Sequence, residues 1–209
     1  DRMTVTRVEP LTKTKFKVYL DGDFAFVLYK GELSRFGIRE GEEVPEETVE
    51  KIRTEVILKR AKLRAMHLLE DMDRTEAALR EKLCQGLYPP DAVEDAVQYV
   101  KSFGYLNDSR YAENFVRSRQ GSKSRKEIQA MLLRKGITAE QIEAAFEACY
   151  DEENGEGEKG AIQKILKKKR FSPEECDESE MQKIYAYLAR KGFRYDTVRQ
   201  VIQNYNENA

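Results

Sequence analysis

Three sets of four apolar residues repeat with the same spacing along this 209-residue chain, and they limit its possible folds more than any other feature. Within each set, the later residues follow the first after 4, 14 and 18 positions. Apolar residues four apart lie on one face of a helix, so each set predicts two helices that face one another across a turn. The sets are Leu79, Leu83, Val93 and Val97; Ile128, Leu132, Ile142 and Phe146; and Ile184, Leu188, Val198 and Ile202.

A glycine lies between the two predicted helices of each set, at Gly86, Gly136 and Gly192. Glycine readily adopts the left-handed conformation that ends a helix, and the basic residues before Gly136 and Gly192 suit the negative end of the helix dipole. In the first set the glycine comes one residue early, and we expect the loop over 87–89 to make up the difference.

Two helix starts in the second set carry a capping-box pattern. Ser124 is followed three residues later by Glu127, and Thr138 is followed by Gln141. In this pattern the hydroxyl and the longer side chain each satisfy a free main-chain N–H group at the helix start. The pattern predicts that helices begin directly after Ser124 and Thr138.

A pair of helices still exposes an apolar edge, so we expect a third helix to cover each pair. The candidates are a long helix that ends near Met72, residues 109–118 and residues 158–169. The chain is therefore predicted to be mainly α, with three tandem three-helix repeats. Repeats stacked in this way form an elongated, curved body.

The first part of the chain predicts a small β-hairpin or meander module. Runs with strand-like alternation cover 4–8, 15–20 and 24–29, and Asp21 and Gly22 supply a tight reversal between the last two runs. Pro45, followed by Glu46 and Glu47, then indicates the start of the long helix.

These patterns divide the chain into five predicted segments. The β module covers 3–44, the first repeat with its preceding long helix covers 45–107, and the second repeat covers 108–150. Residues 151–157 form an acidic, glycine-containing segment that we interpret as a mobile linker. The third repeat covers 158–209.

The composition argues against most kinds of enzyme. His67 is the single histidine, the three cysteines form no CxxC pair, and no glycine-rich phosphate loop is present. We expect no metal site, no disulfide framework and no cofactor, and we expect His67 to be a packed or half-exposed helix residue. An acid–base pair at residues 46–50 is the enzymatic alternative, but acidic residues in a first helical turn mostly complement the dipole.

No apolar run approaches the roughly 18 residues of a membrane span, and the chain does not open on a basic and then apolar leader. These features predict a cytoplasmic protein without a membrane partner.

The charges nearly cancel overall but are unevenly distributed. The chain has 37 basic and 38 acidic side chains, whereas residues 158–209 carry 11 and 8, a net of +3. Two basic clusters stand out, and each could contact nucleic-acid phosphates, face solvent or meet an acidic protein. The clusters are Arg117, Arg119, Lys123, Arg125 and Lys126; and Lys164, Lys167, Lys168, Lys169 and Arg170.

The run over 104–119, GYLNDSRYAENFVRSR, reads as a helix junction in which Gly104 ends one helix and Asn107 or Asp108 caps the next. The run also resembles the signature of the RecX family, bacterial modulators of the RecA recombinase. The Arg-Lys-Gly turns before Ile137 and Phe193 and the three-repeat layout add to the resemblance. The hairpin at 19–26 looks like the extension of Gram-positive members. Gln85 stands where the family usually has a basic residue, and Asn107 where it often has Asp.

The resemblance implies a non-enzymatic regulator that binds RecA filaments on single-stranded DNA, lies in their helical groove, and inhibits assembly, ATPase or strand exchange. We expect it to act as a monomer. An independent single-stranded nucleic-acid-binding module is the alternative. We expect Tyr105 and Phe115 to stabilise the fold and not to contact the partner. The signature suggests Arg110, Tyr111, Arg117 and Arg119 as contact residues; charge alone adds Lys123, Arg125, Lys126, Lys167, Lys168, Lys169 and Arg170.

Overall fold

A computed structural model of the chain describes residues 1–150 and 157–205. These residues form two compact units, of which the first is Asp1–Asn107 and the second begins at Asp108. The predicted acidic linker over 151–157 lies outside the described residues except for Gly157, and so do residues 206–209 of the predicted third repeat.

A small antiparallel sheet opens the first unit. Its strands are β1 (Arg2–Pro10), β2 (Lys15–Leu20), β3 (Asp23–Tyr29) and β4 (Glu43–Pro45), in the order β3-β2-β1-β4. The predicted hairpin is confirmed: Asp21 and Gly22 have φ angles of 50° and 90°, which suit a two-residue turn between twisted strands. Strand β4 was not predicted, because it is three residues long and is defined by its pairing with the start of β1.

Helix α1 (Lys30–Phe36) connects β3 to β4, and a long helical run follows the sheet. The run consists of α2 (Glu46–Ile52), a π-helical segment (Arg53–Leu58) and α3 (Lys59–Asp71), which confirms the predicted long helix. The π-helical segment was not predicted. Its wider turn accompanies the burial of two consecutive side chains, Val56 and Ile57.

The described helices from α3 onward form three groups of three. The repeat 1 group is α3, α4 (Glu76–Gln85) and α5 (Pro90–Ser102); repeat 2 is α6 (Asp108–Arg119), α7 (Arg125–Arg134) and α8 (Ala139–Cys149); repeat 3 is α9 (Glu158–Lys168), α10 (Glu178–Arg190) and α11 (Tyr195–Gln203). Every residue of the three apolar sets is buried except Ile184, which is half-buried against the core of repeat 3. Repeats 2 and 3 each have a separate apolar core, whereas repeat 1 shares one core with the sheet.

The turn between the second and third helices of each repeat contains a residue in the left-handed conformation. That residue is not glycine in every repeat. Gly136 and Gly192 have φ angles of 85° and 96°, as predicted. The N–H group of the residue after each of these glycines donates to the carbonyl five residues earlier, at 3.1 Å in repeats 2 and 3. The equivalent bond in repeat 1 is 3.3 Å long. In repeat 1 the left-handed residue is Leu87, with a φ of 64°, whereas Gly86 has a φ of −77°. The prediction that Gly86 adopts this conformation is therefore wrong.

Both predicted capping boxes are confirmed. Ser124 Oγ accepts from the Glu127 N–H at 3.1 Å, and Glu127 Oε1 accepts from the Ser124 N–H at 3.4 Å. Thr138 Oγ1 accepts from the Gln141 N–H at 3.2 Å, and Gln141 Oε1 accepts from the Thr138 N–H at 3.1 Å. These bonds fix the starts of α7 and α8.

Two expectations about single residues are wrong. The His67 side chain is 67% exposed, because Ala65 and Leu68 form the buried face of α3 at that turn. Tyr105 is 52% exposed, because Leu106 takes the buried position after the turn. Phe115 is buried in the core of repeat 2, as expected.

Candidate functional site: a lysine-lined groove between repeats 2 and 3

A buried hydroxyl joins repeat 2 to repeat 3 within the second unit. Ser124 is fully buried, and its Oγ donates to the main-chain carbonyl of Lys191 at 2.7 Å while it caps α7. Gly192 follows immediately, and a Cβ atom added there would lie 2.9 Å from both Ser124 Oγ and Lys126 Cβ. The start of α7 therefore packs directly against the turn that ends α10.

Glu158, the first residue of α9, makes a second connection between the repeats. Its Oε1 accepts from the Arg125 main-chain N–H at 3.1 Å, at the positive end of α7, and its Oε2 lies 3.9 Å from Arg194 Nε. The Glu158 side chain is only 11% exposed. Because Ser124 and Glu158 tie the start of α7 to α10 and α9, the side chains around this junction keep a defined arrangement.

A groove of about 540 Å³ lies beside this junction, and lysines dominate its lining. Repeat 2 contributes the segment just before α7 and the first turns of that helix, while repeat 3 contributes α9, the residue after it and the end of α10. The lining residues are Ser122, Lys123, Glu127, Lys164, Ile165, Lys168, Lys169, Tyr187 and Lys191.

The lining of the groove carries a net positive charge. Five lysines and one glutamate give its lining a net charge of +4 (5 − 1). The Glu127 carboxylate already accepts the Ser124 N–H of the capping box, so hydrogen bonding fixes its position. Lysine ammonium groups act as point charges toward anionic oxygens, and a concave surface of one sign raises the local concentration of anions.

Tyr187 supplies the aromatic surface of the groove. Lys169 Nζ lies 4.0 Å from the centre of its ring, and Lys191 Nζ lies 5.6 Å from it. These cation–π contacts hold two ammonium groups on one wall. Lys164 and Lys168 are four residues apart on α9, so they present their charges from the same helix face.

The structure brings together only some of the side chains that charge alone predicted. Lys123, Lys168 and Lys169 line the groove, whereas Lys167 and Arg170 are exposed but do not line it. Lys126 is exposed on α7, and its Cβ lies beside Gly192.

Arg125 is engaged inside repeat 2. Its guanidinium lies 4.6 Å from the centre of the Phe146 ring, and its Nη2 lies 3.2 Å from Glu143 Oε1. Its main-chain N–H is bound by Glu158. These contacts give Arg125 a role in packing α7 against α8, and they draw its charge away from the groove.

The residues of the family signature lie on α6 and do not line the groove either. Tyr111 stacks on Phe115 with ring centres 6.2 Å apart, and the Arg119 guanidinium lies 4.6 Å from the Phe115 ring centre. Arg110 and Arg117 are exposed, and Arg117 Nη1 donates to Asn114 Oδ1 at 3.3 Å. Whether these four residues contact a partner stays a prediction.

Sequence reasoning missed Lys164, Tyr187 and Lys191 as contact residues, although it placed Lys164 in a basic cluster. Lys191 had no signal of its own. It belongs to the Arg-Lys-Gly turn of repeat 3, which the sequence explains fully as a helix end. A helical projection of α9 places Lys164 and Lys168 on one face and Lys167 on another. The sequence alone therefore contains the information that separates these lysines. No short stretch of the sequence indicates that Lys123 lies beside α9, because their proximity depends on tertiary packing.

Two kinds of feature were not found among the residues that the structure describes. No three His, Cys, Asp or Glu side chains there are grouped so that they could hold a metal ion. No helix over 1–150 and 157–205 is both long and apolar enough to cross a lipid bilayer.

Comparison with protein-family models gives matches in all three repeats. The first three-helix domain of RecX matches residues 61–99, the second matches 107–145 and the third matches 158–202.

Curated relatives match over nearly the whole chain. The regulatory protein RecX of Caldanaerobacter subterraneus subsp. tengcongensis is 32% identical over 202 residues, which cover 96% of this chain and 98% of that protein. The regulatory protein RecX of Clostridium perfringens strain 13 is 28% identical over 211 residues, which cover 99% and 97%.

Solved structures of the family share the fold. A crystal structure of regulatory protein RecX has a TM-score of 0.59 at 22% identity and covers 95% of this chain and 98% of that one. The crystal structure of RecX from Lactobacillus salivarius has a TM-score of 0.58 at 25% identity, over 70% of this chain and 95% of that one. With three matching domain models and a relative that matches almost end to end, the chain belongs to the RecX family.

Proposed function

We propose that this protein is a non-enzymatic regulator that binds RecA filaments on single-stranded DNA and inhibits filament assembly, ATPase and strand exchange. In this proposal it acts as a monomer in the cytoplasm, without a cofactor, in DNA repair, recombination and the SOS response. Membership of a family of regulatory proteins supports the regulatory role.

The observation that carries the proposal is the lysine-lined groove. Two repeats together direct five ammonium groups into one concavity, while the chain as a whole has a net charge of −1. A near-neutral chain with a local concentration of positive charge binds a polyanion in a defined orientation instead of coating it. A filament that carries single-stranded DNA offers both a phosphate backbone and protein surfaces.

The groove also favours a binding mode that combines several weak contacts. Lysine–phosphate contacts are individually weak and screened by salt, so a few of them give modest affinity. Contacts from other parts of the chain to the protein subunits would then act at high effective concentration. Such a bound chain would hinder subunit addition and pairing with a second DNA without any chemical step.

The test uses RecA filaments formed on single-stranded DNA with ATP. We expect micromolar full-length chain to sediment with the filaments, to lower their ATPase rate and to slow strand exchange. The Lys167→Glu variant changes an exposed lysine outside the groove, so we expect it to act like the wild type. No sedimentation, together with unchanged ATPase and strand exchange, would contradict the proposal.

The groove gives specific support to one second candidate, an independent single-stranded DNA-binding module. Each neutralised phosphate of a single strand contributes about −0.7 to the slope of log affinity against log salt, so five lysines allow a slope of roughly −3.5. Fluorescence anisotropy with labelled oligothymidylate at a series of salt concentrations measures this slope. Filament binding without binding to the free oligonucleotide would support the filament proposal alone.

A further inference from the structure

A second concave surface lies in the first unit, far along the chain from the lysine-lined groove. A cleft of about 460 Å³ is bounded by the β2–β3 hairpin, the helical run over 53–71 and the turn between α4 and α5. All of its lining residues belong to the unit Asp1–Asn107. We call it the hairpin cleft.

Aliphatic side chains give the hairpin cleft an exposed apolar surface. Leu63 on α3 is 62% exposed, and Leu11, the first residue of the turn between β1 and β2, is 42% exposed. Both line the cleft. The two leucines thus add solvent-exposed apolar surface to the same concavity, where a bound apolar side chain would cover both.

Leu87 gives an independent reason to regard the hairpin cleft as a binding surface. It lines the cleft with a φ of 64°, whereas glycine holds the equivalent left-handed position in repeats 2 and 3. A leucine in this region of backbone space is strained, and strain of this kind concentrates at functional sites. The strained turn places an aliphatic side chain where a glycine would leave none.

Cationic side chains line the cleft together with the leucines. They are Lys15, Arg60 and Arg64, of which Arg60 is fixed by an ion pair with Glu32 at 2.6 Å. Among the described residues, Lys15 and Arg64 have no ion-pair partner.

Tyr88 lines the hairpin cleft together with Arg60 and Arg64. Burial raises the pKa of the Tyr88 hydroxyl, and the positive charges of Arg60 and Arg64 oppose that rise. Arg60 is already paired with Glu32, so Lys15 and Arg64 supply the cationic charge that no carboxylate of the described residues neutralises beside the leucines. Cations of this kind next to apolar side chains suit a ligand that is both acidic and apolar.

The aromatic rings of the cleft are poorly placed to stack on nucleic-acid bases. Arg60 lies 4.6 Å and Lys15 lies 5.6 Å from the centre of the Tyr29 ring, so that ring is already used by cations. Tyr88 is half-buried, and the most exposed apolar groups are leucines. Single-stranded nucleic-acid sites depend on free ring faces, whereas leucine surfaces suit aliphatic side chains.

We propose that the hairpin cleft binds an acidic peptide segment of a protein partner. An aliphatic side chain of that segment packs against Leu11 and Leu63, and flanking carboxylates face Lys15 and Arg64. Charge complementarity fixes the chemistry of the occupant, because exposed leucines line the same cleft as cationic side chains without a carboxylate partner in the described part of the chain. This site goes beyond the proposed function and does not depend on it.

The experiment measures fluorescence anisotropy of the full-length chain with a short labelled peptide of aspartates and glutamates that contains two leucines. We expect micromolar binding that weakens about tenfold in Arg64→Glu and several-fold in Leu63→Ser. Both side chains are exposed, so both variants should keep the wild-type circular dichroism spectrum. Lys168→Glu makes the same charge change in the lysine-lined groove and should leave the peptide affinity within twofold.

Two control ligands identify the chemistry. The peptide with serines in place of leucines should bind at least fivefold more weakly, and a peptide with lysines in place of its acids should not bind. Absence of binding by the acidic peptide, or equal affinity in Arg64→Glu and the wild type, would overturn the proposal. A loss of oligothymidylate binding in Arg64→Glu without any peptide binding would overturn it in favour of nucleic acid.

Discussion

The hydroxyl of Ser124 donates a hydrogen bond to the main-chain carbonyl of Lys191 at 2.7 Å, and thereby joins the start of α7 in repeat 2 to the end of α10 in repeat 3. The same oxygen accepts the Glu127 N–H and caps α7. One fully buried side chain thus performs two roles, one within a repeat and one between repeats.

Replacing Ser124 should therefore cost more than the loss of an ordinary helix cap. We expect Ser124→Ala to lower the free energy of unfolding by about 2 kcal/mol, of which roughly half is the cap and half the buried bond to Lys191. Thr138→Ala removes a cap of the same type from α8, at an exposed position, and should cost only about 1 kcal/mol. Urea unfolding followed by circular dichroism compares the two variants, and equal losses would contradict the double role of Ser124.

Gly192 tests how closely the two repeats pack. Its φ of 96° alone should make Gly192→Ala cost about 1 kcal/mol, and the added Cβ would also lie 2.9 Å from Ser124 Oγ and Lys126 Cβ. We expect a total loss of about 3 kcal/mol. Gly104→Ala is the matched control, because Gly104 has a φ of 77° with nothing within 4 Å of an added Cβ. A similar melting temperature for both variants would show that the junction is looser than described.

The lysine-lined groove predicts a contrast between neighbouring lysines. We expect Lys123→Glu combined with Lys168→Glu to weaken oligothymidylate binding at least tenfold and to reduce the salt slope by about 1.4, the share of two phosphate contacts. Lys167→Glu combined with Arg170→Glu makes the same charge change outside the groove and should weaken binding less than threefold. Similar losses in both double variants would mean that net charge, and not the groove, governs binding.

Thiol reactivity should distinguish Cys149 from Cys84. Burial raises the pKa of the Cys149 thiol, the Glu113 carboxylate raises it further, and Arg117 opposes the shift. A raised pKa leaves less thiolate at neutral pH, so Cys149 should react with iodoacetamide several-fold more slowly than the exposed Cys84. Peptide mapping by mass spectrometry over time follows each site. Equal rates at Cys149 and Cys84 would contradict the described environment of Cys149.

The parts of the fold that the sequence predicts depend on local signals. The Asp21–Gly22 turn needs two adjacent residues with positive φ, and the capping boxes need two side chains three residues apart. Strand β4 depends on pairing with β1, and the π-helical segment accompanies the adjacent burial of Val56 and Ile57. Such features arise from tertiary packing, which no short window of sequence contains.

The residues of the candidate site are likewise only partly predictable from the sequence. Charge clustering points to Lys123, Lys168 and Lys169, but it also selects Arg125, whose guanidinium lies over the Phe146 ring. A count of charges does not distinguish a lysine that lines a groove from an arginine that packs a core. Lys191 joins the groove only because the Ser124 bond holds the end of α10 against the start of α7.

An electron-microscopy map of the full-length chain bound to RecA filaments on single-stranded DNA would show whether the lysine-lined groove faces the DNA. We expect density for the chain along or at the end of the filament, with Lys123, Lys164 and Lys168 turned toward the DNA phosphates. A bound chain whose lysine-lined groove faces solvent, or filaments without any bound chain at saturating concentration, would contradict the proposed function.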